Sequence, residues 1–224
     1  MEEAPERFAG NPLDSRPMRQ ADLTRQRLVR AALELFTAQG YHVTTTPDIA
    51  KKAGVAEGTI YRHFDSKAHL LNELYRGAAR WAAKLVKDVD AQRLMPREKL
   101  GLLARGLAEG AGRDPAVVRL FFLQRHGGSA LFDDKAREAA REFRLGVESL
   151  VAQGKADGSV KVGAAEVWAA VWLSVLTLAL EKVAAGEWPD GHAALRQALD
   201  AAWDAIAAPH PATAGGQPDG RTGG

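Results

Sequence analysis

The sequence predicts an all-α protein, with an N-terminal helix-turn-helix unit and a larger C-terminal helical unit. Three observations carry that expectation. Apolar residues recur at three- and four-residue steps through most of the chain. No alternating strand pattern runs longer than Ser159–Val162. The stretch Thr44–Lys67, TTTPDIAKKAGVAEGTIYRHFDSK, reads as two short helices joined by a glycine turn.

The elements follow in order. Residues 1–17 are rich in acids and prolines and are expected to form a disordered tail. Arg16, near the end of that tail, and Arg19 belong either to a solvated linker or to a basic arm that touches DNA. The first helix is expected from about Asp22 to Gln39, with Leu28, Ala31, Ala32, Leu35 and Phe36 inward and Gly40 as its cap. Thr45 or Thr46 can cap the next helix, because a threonine oxygen accepts an unpaired first-turn N–H. Pro47 sits where that turn tolerates proline. Gly54 ends the helix and Val55 plugs the core beneath the turn. The second short helix, about Glu57–Phe64, turns Ile60 and Phe64 inward and leaves Thr59, Tyr61, Arg62 and His63 outward or sideways. The second helix of such a pair enters the DNA major groove.

The motif residues Gly40-Tyr41, Thr44-Thr45, Asp48-Ile49-Ala50, Ala53-Gly54-Val55, Gly58-Thr59-Ile60-Tyr61, His63-Phe64 and Ser66-Lys67 resemble the signature of the TetR family of transcriptional regulators. The resemblance is ungapped from about Arg25 to about Leu71. It implies a homodimer, a ligand-binding helical C-terminal domain, and repression relieved by a small molecule. It also implies phosphate contacts from Thr45, Thr46, Thr59 and Lys67. In this register Tyr61 and His63 read as phosphate ligands too, since hydroxyl and imidazole N–H groups donate to phosphate oxygens. Arg62 is the best base reader, because a guanidinium pairs two-pronged with guanine O6 and N7. Glu57 either accepts from cytosine N4 or caps its helix. Gly58 offers close backbone approach. Pro47 departs from relatives that read a base there with a long polar side chain, so specificity rests on few direct contacts plus DNA shape.

Composition limits the alternatives. Among the 224 residues there is no cysteine, which excludes disulfides and thiol chemistry and agrees with a cytoplasmic setting. The net charge of +2 offers no bulk polycation, so DNA binding must come from local placement of charge. The N-terminus does not have the pattern of a secretory signal, and the apolar run Val167–Leu180 falls short of the ~20 residues of a membrane span. No hydrolase or phosphate-loop motif occurs and the histidines lack metal-ligand spacing. Hence no enzyme, metal or cofactor is expected.

Residues 18–66 form the expected DNA-binding domain and residues 67–208 the regulatory and dimerisation domain. A helix from Ser66 to about Val89, roughly 30–36 Å long, is the lever between them. Helices are expected over Glu98–Gly112, from Asp114-Pro115 to His126, over Asp133–Ala156, over Ala164–Ala185 and over His192–Ile206, with a second disordered tail at 209–224. The Ala164–Ala185 helix is apolar on nearly every side, so a second subunit should cover it. An apolar effector cavity is expected from Leu103, Leu107, Phe121, Phe122, Phe143, Trp168 and Trp172, with Arg119, Arg125 and His126 placed to meet an anionic head group. A fatty acid, an acyl-CoA or an aromatic acid fits that layout. A neutral or cationic drug is the rival effector, and an architectural DNA-binding protein without a ligand is the rival class.

Overall fold

The structure is a computed structural model and describes residues 20–123 and 131–209. The expected tail at 1–17, Arg16, Arg19, Arg125, His126 and nearly all of the 209–224 tail lie outside the described residues. The described chain is helical. Its one extended pairing is an isolated antiparallel bridge between Val160 and Ala207. The chain divides into two compact units at Leu71/Asn72. The division falls inside a helix rather than at residue 66, because Leu70 and Leu71 are buried.

In the first unit, α1 (Gln20–Gln39) packs on α2 (Thr46–Ala53), which leads to a 3-10 helix (Glu57–Arg62). Leu28, Phe36, Ile49, Ile60, Phe64, Leu70 and Leu71 form its core. Thr45 caps α2 as expected: its hydroxyl accepts from the Asp48 N–H, and the Asp48 carboxylate accepts from the Thr45 N–H at 3.1 Å. Gly54 closes α2 in the left-handed region at φ 67°, and the Val55 N–H returns to the Ala50 carbonyl at 3.0 Å. Thr45→Ala should destabilise this unit by about 1 kcal/mol, read as a lower midpoint in chemical denaturation.

The second short helix is tighter than the α-helix expected. No side-chain cap holds its start at Ala56. Only its last link, the Phe64 N–H to the Ile60 carbonyl at 2.9 Å, has α-helical spacing. That link places both Ile60 and Phe64 in the core, as their four-residue separation predicts.

Helix α3 (Lys67–Asp90) continues without interruption, and its later part belongs to the second unit. There it meets α4 (Pro96–Arg113) and α6 (Asp134–Ala156) at glycines. A Cβ at Gly110 would lie 2.3 Å from the Trp81 ring, and one at Gly146 would lie 2.7 Å from Val86. Helix α4 starts before the expected Glu98, because Pro96 takes the first helical position rather than marking a loop. Its start is fixed by Lys99, which is buried and donates to the Asp90 carbonyl at 2.8 Å, the Asp90 carboxylate at 2.9 Å and Gln153 Oε1 at 3.1 Å. The Asp90 carboxyl is held below its ordinary value by the Gln153 amide and Lys99, against the cost of burial. A depressed carboxyl adds stability above its unfolded value of about 3.9. That contribution is lost as pH falls through the lower folded value. Asp90→Asn should therefore weaken the acid dependence of stability, measured as unfolding midpoints across a pH series.

The remaining elements are α5 (Pro115–Val118), a π-helical turn (Arg119–Leu123), α7 (Ala165–Ala184) and α8 (Ala193–Asp204). The continuous helix expected from Asp114 widens into that π turn. In consequence the neighbouring rings of Phe121 and Phe122 both pack on Phe143. Helix α7 buries Trp172, Leu176, Ala179, Leu180 and Val183 against α4, α6 and α8. Its other face is open: Val167 is 54% and Leu178 53% exposed. Among the described residues α7 alone is long and apolar enough to cross a membrane by length and composition, yet 39% of its most apolar stretch lies inside the fold.

Candidate nucleic-acid interface and regulatory core

The first unit brings the expected DNA-contact residues onto the ends and outer faces of two short helices. Thr45, Glu57, Gly58, Tyr61 and Arg62 are exposed, and Thr46, Thr59, His63 and Lys67 are half-buried. Tyr61 projects with 56% of its surface exposed, and its hydroxyl is 3.0 Å from the Thr46 hydroxyl. That bond ties the start of α2 to the 3-10 helix, and each oxygen keeps further hydrogen-bonding capacity for an outside acceptor or donor. Nothing lies within 4 Å of a Cβ built on Gly58, so the backbone there is open to close approach. Ala56 is the N-cap residue and Glu57 makes no cap bond. The cap reading of Glu57 is therefore not seen, and its carboxylate is left at the exposed first turn.

Lys67 is placed differently from a free surface cation. Its ammonium donates to the Tyr41 carbonyl at 2.9 Å and the Thr44 carbonyl at 2.7 Å, and it lies 4.3 Å from the Tyr41 ring centre. Arg25, whose helix supports the unit, lies over the Phe64 ring at 5.0 Å. His63 sits beside the same ring at 6.4 Å.

In the second unit the three phenylalanines named from sequence converge, joined by two further rings. Phe121, Phe122 and Phe143 contact one another at centroid distances of 4.7 to 5.6 Å. Tyr75 of α3 joins Phe121 at 5.4 Å and Phe132 at 4.1 Å. Burial pushes the Tyr75 hydroxyl up from its ordinary value, opposed by the charge of Arg144. The cavity expected from sequence included neither Tyr75 nor Phe132. The available signal was the position of Phe132 immediately before the helix-capping Asp133. Leu103, Leu107 and Trp172 are fully buried in the adjoining core.

Two expected cavity residues are engaged elsewhere. The Arg119 guanidinium donates to the Ala184 carbonyl at 2.7 Å, where a cation suits the C-terminal end of α7. The Trp168 indole N–H donates to the Val162 carbonyl at 3.0 Å, with the Lys161 ammonium 5.4 Å from its ring. Both interactions hold the ends of α7, a demand that apolar periodicity does not reveal. A half-open groove of about 640 Å³, lined by residues including Arg105, Arg113, Val183, Leu195 and Leu199, contains none of the expected cavity residues.

The N-terminal side chains of α3 in this unit are tied to the segment that carries Phe132. The Asn72 amide donates to the Leu131 carbonyl at 3.1 Å and its oxygen accepts from the Asp133 N–H at 2.8 Å. Arg76 pairs with the Asp133 carboxylate at 2.7 Å and with Glu73. No cluster of three or more metal-ligating side chains occurs among the described residues.

Residues 28–74 match the family described as bacterial regulatory proteins, tetR family. The transcriptional repressor KstR2 of Mycobacterium tuberculosis is 35% identical over 81 residues, covering 36% of this chain and 40% of that protein. The chain is thus matched to two-fifths of the length of that curated relative. A solved tetR-family transcription regulator from Shewanella sp. PV-4 shares 26% identity, with a TM-score of 0.68 over 83% of this chain and 99% of that one. The transcriptional regulator FadR of Bacillus subtilis, solved in complex with stearoyl-CoA, has the same fold. It matches at 22% identity and a TM-score of 0.67, over 81% of this chain and 98% of that one.

Proposed function

We propose that this chain, which belongs to the TetR family of bacterial regulatory proteins, is a homodimeric, cytoplasmic repressor released from a palindromic DNA operator by an apolar effector. The observation that supports DNA binding most directly is the helix-turn-helix. It presents Thr45, Thr46, Gly58, Thr59, Tyr61, Arg62 and His63 together around two short helices. Hydroxyl, imidazole and backbone donors at that surface suit phosphate oxygens and fix the docking. Arg62 supplies base readout. Glu57 stands at the same edge, where an unpaired carboxylate accepts from cytosine N4 or disfavours other bases by repulsion.

Arg62→Ala should cost about 1–3 kcal/mol in operator binding and relax preference at one base pair per half-site. Selection of binding sites from random DNA, run on both proteins, checks this. Unchanged base preference at every position would remove Arg62 from readout.

For the effector, the supporting observation is the ring cluster of Tyr75, Phe121, Phe122, Phe132 and Phe143. Rings meeting edge to face make an apolar environment suited to an acyl chain or an aromatic acid. The stearoyl-CoA complex of the similarly folded FadR favours the acyl-CoA member of that set. Release follows if the effector favours a conformation whose paired recognition helices no longer match the half-site spacing. Titration of acyl-CoAs of increasing chain length against operator-bound protein tests this. Operator affinity unaffected at every length would retire the acyl class.

A further inference from the structure

We propose that Arg144 and the Tyr75 hydroxyl bind the anionic end of the effector, at the edge of the ring cluster between α3 and α6. The proposal rests on the apolar-effector reading above and gives that site its polar end. Rings alone hold an apolar body without selecting what it carries. Arg119, the cation expected at a head group, is committed to the Ala184 carbonyl. Helix α6 offers another. Of its three arginines, Arg137 pairs with Asp134 and Arg141 with Glu138. Arg144 is exposed and forms no ion pair among the described residues, although Glu148 stands one turn on.

Its position ties it to the rings. Arg144 directly follows Phe143, and Ala140 and Val147, four residues before and three after it, are buried. Its stem therefore leaves α6 at the rim of the buried face. Side chains on a helix lean toward its N-terminus, which carries the guanidinium toward Phe132, the residue before the capping Asp133. Tyr75 packs on that ring at 4.1 Å and on Phe121 at 5.4 Å. The Arg144 charge reaches the half-buried Tyr75 hydroxyl and opposes the rise that burial causes. The raised value keeps this hydroxyl protonated at neutral pH, so it is a donor. It makes no hydrogen bond among the described residues.

A hydroxyl donor and a forked guanidinium thus stand beside five rings with no acceptor from the described chain. That set selects an oxygen anion on an apolar chain. The rings take the chain, the hydroxyl donates one bond, and the guanidinium pairs two-pronged with the anion. A cationic head would be repelled. Two sources carry the chemistry: the carboxylate of a free acyl chain and the phosphates of an acyl-CoA.

The test uses the full-length protein and calorimetry with dodecanoate, dodecanoyl-CoA and the neutral dodecanol. Arg144→Gln should weaken at least one of the two anions about tenfold or more, the loss expected for a charge-assisted bond, and leave dodecanol unchanged. Loss confined to dodecanoate assigns the site to a carboxylate, and loss confined to dodecanoyl-CoA assigns it to phosphate. Arg144→Lys, which keeps the charge without the fork, should recover part of the affinity. Tyr75→Phe keeps the ring and should cost the same anion about fivefold. Arg141→Gln removes a neighbouring charge already paired with Glu138 and should change nothing. Equal losses in Arg141→Gln and Arg144→Gln would reduce the effect to net charge and overturn the assignment. So would anion binding in Arg144→Gln that matches the wild type, while leaving the acyl reading intact. A wild-type protein that binds none of the three probes would refute the acyl reading and this polar end together.

Discussion

Leu178→Glu should convert the protein to a monomer that no longer holds its operator at nanomolar concentration. The expectation starts from α7, apolar around nearly its whole circumference over Ala165–Ala184. One face is buried in the chain's own core through Trp172, Leu176, Ala179 and Leu180. Val167 and Leu178 point away from that core and stay more than half exposed. Surface of this kind is what an obligate interface covers. A carboxylate placed on a twofold interface appears twice, and each ion costs several kcal/mol in desolvation. At 1.4 kcal/mol per tenfold, operator affinity should drop by more than about 100-fold. Leu178 is a better site than Leu199, which packs partly against the chain's own core and would confound loss of association with loss of fold. Leu145→Glu is the control, since Leu145 is also exposed but lies on α6. Sedimentation of both variants with the wild type checks the outcome. A Leu178→Glu protein that remains dimeric would move the interface off α7.

What could be read from sequence, and what could not, follows from the range of the forces involved. The first unit was largely legible, although Leu33 rather than Leu35 is buried on α1 and the sequence left the cap of α2 open between Thr45 and Thr46. Its structure is set by local rules: the Thr45–Asp48 capping box, Pro47 in the first turn, Gly54 in the left-handed region, and Ile60 and Phe64 four apart. Those rules act within a few residues, so spacing alone carries them. The tight 3-10 form of Glu57–Arg62 was not legible, because nothing in its sequence distinguishes it from one turn of α-helix. The helices of the second unit were found by periodicity, with ends shifted where Pro96 starts a helix instead of interrupting one. Its polar ties were not found. Lys99 to Gln153, Asn72 to Leu131 and Asp133, and Arg119 to Ala184 join residues far apart in sequence. Such pairs leave no periodic trace. The same limit explains why Arg119 was expected at an effector head group: a cation flanking an apolar run looks alike whether it meets a ligand or a helix end. Lys67 shows the limit inside the first unit, since its partners lie on the turn before α2.

Asn72→Ala should both destabilise the protein and disconnect effector from operator. Asn72 is buried, and its one amide group satisfies a carbonyl and an N–H of the chain at 131–133. Truncation removes both bonds at once. Leu131 is half-buried and Asp133 exposed, so water can reach the groups left behind. Two ordinary hydrogen bonds at about 0.5–1.5 kcal/mol each predict a loss of roughly 1–3 kcal/mol in chemical denaturation. The functional effect follows from what the tie joins. Residues 131–133 carry Phe132, whose ring lies against Tyr75, and Asp133, which caps α6 and pairs with Arg76. Asn72, Tyr75 and Arg76 lie on one stretch of α3, and α3 runs unbroken back to Lys67. An effector that separates the rings around Phe132 must therefore pull on α3 through Asn72 and Arg76 or break free of it. With Asn72 removed, the rings can part without moving the helix. Acyl-CoA should still bind the variant, measured by calorimetry, yet shift its operator affinity far less than in the wild type. Arg76→Ala should give a weaker version of the same result, because the Asp133 carboxylate it pairs with is half-exposed and better screened. Full release of the operator by acyl-CoA in the Asn72→Ala variant would place the coupling elsewhere along α3.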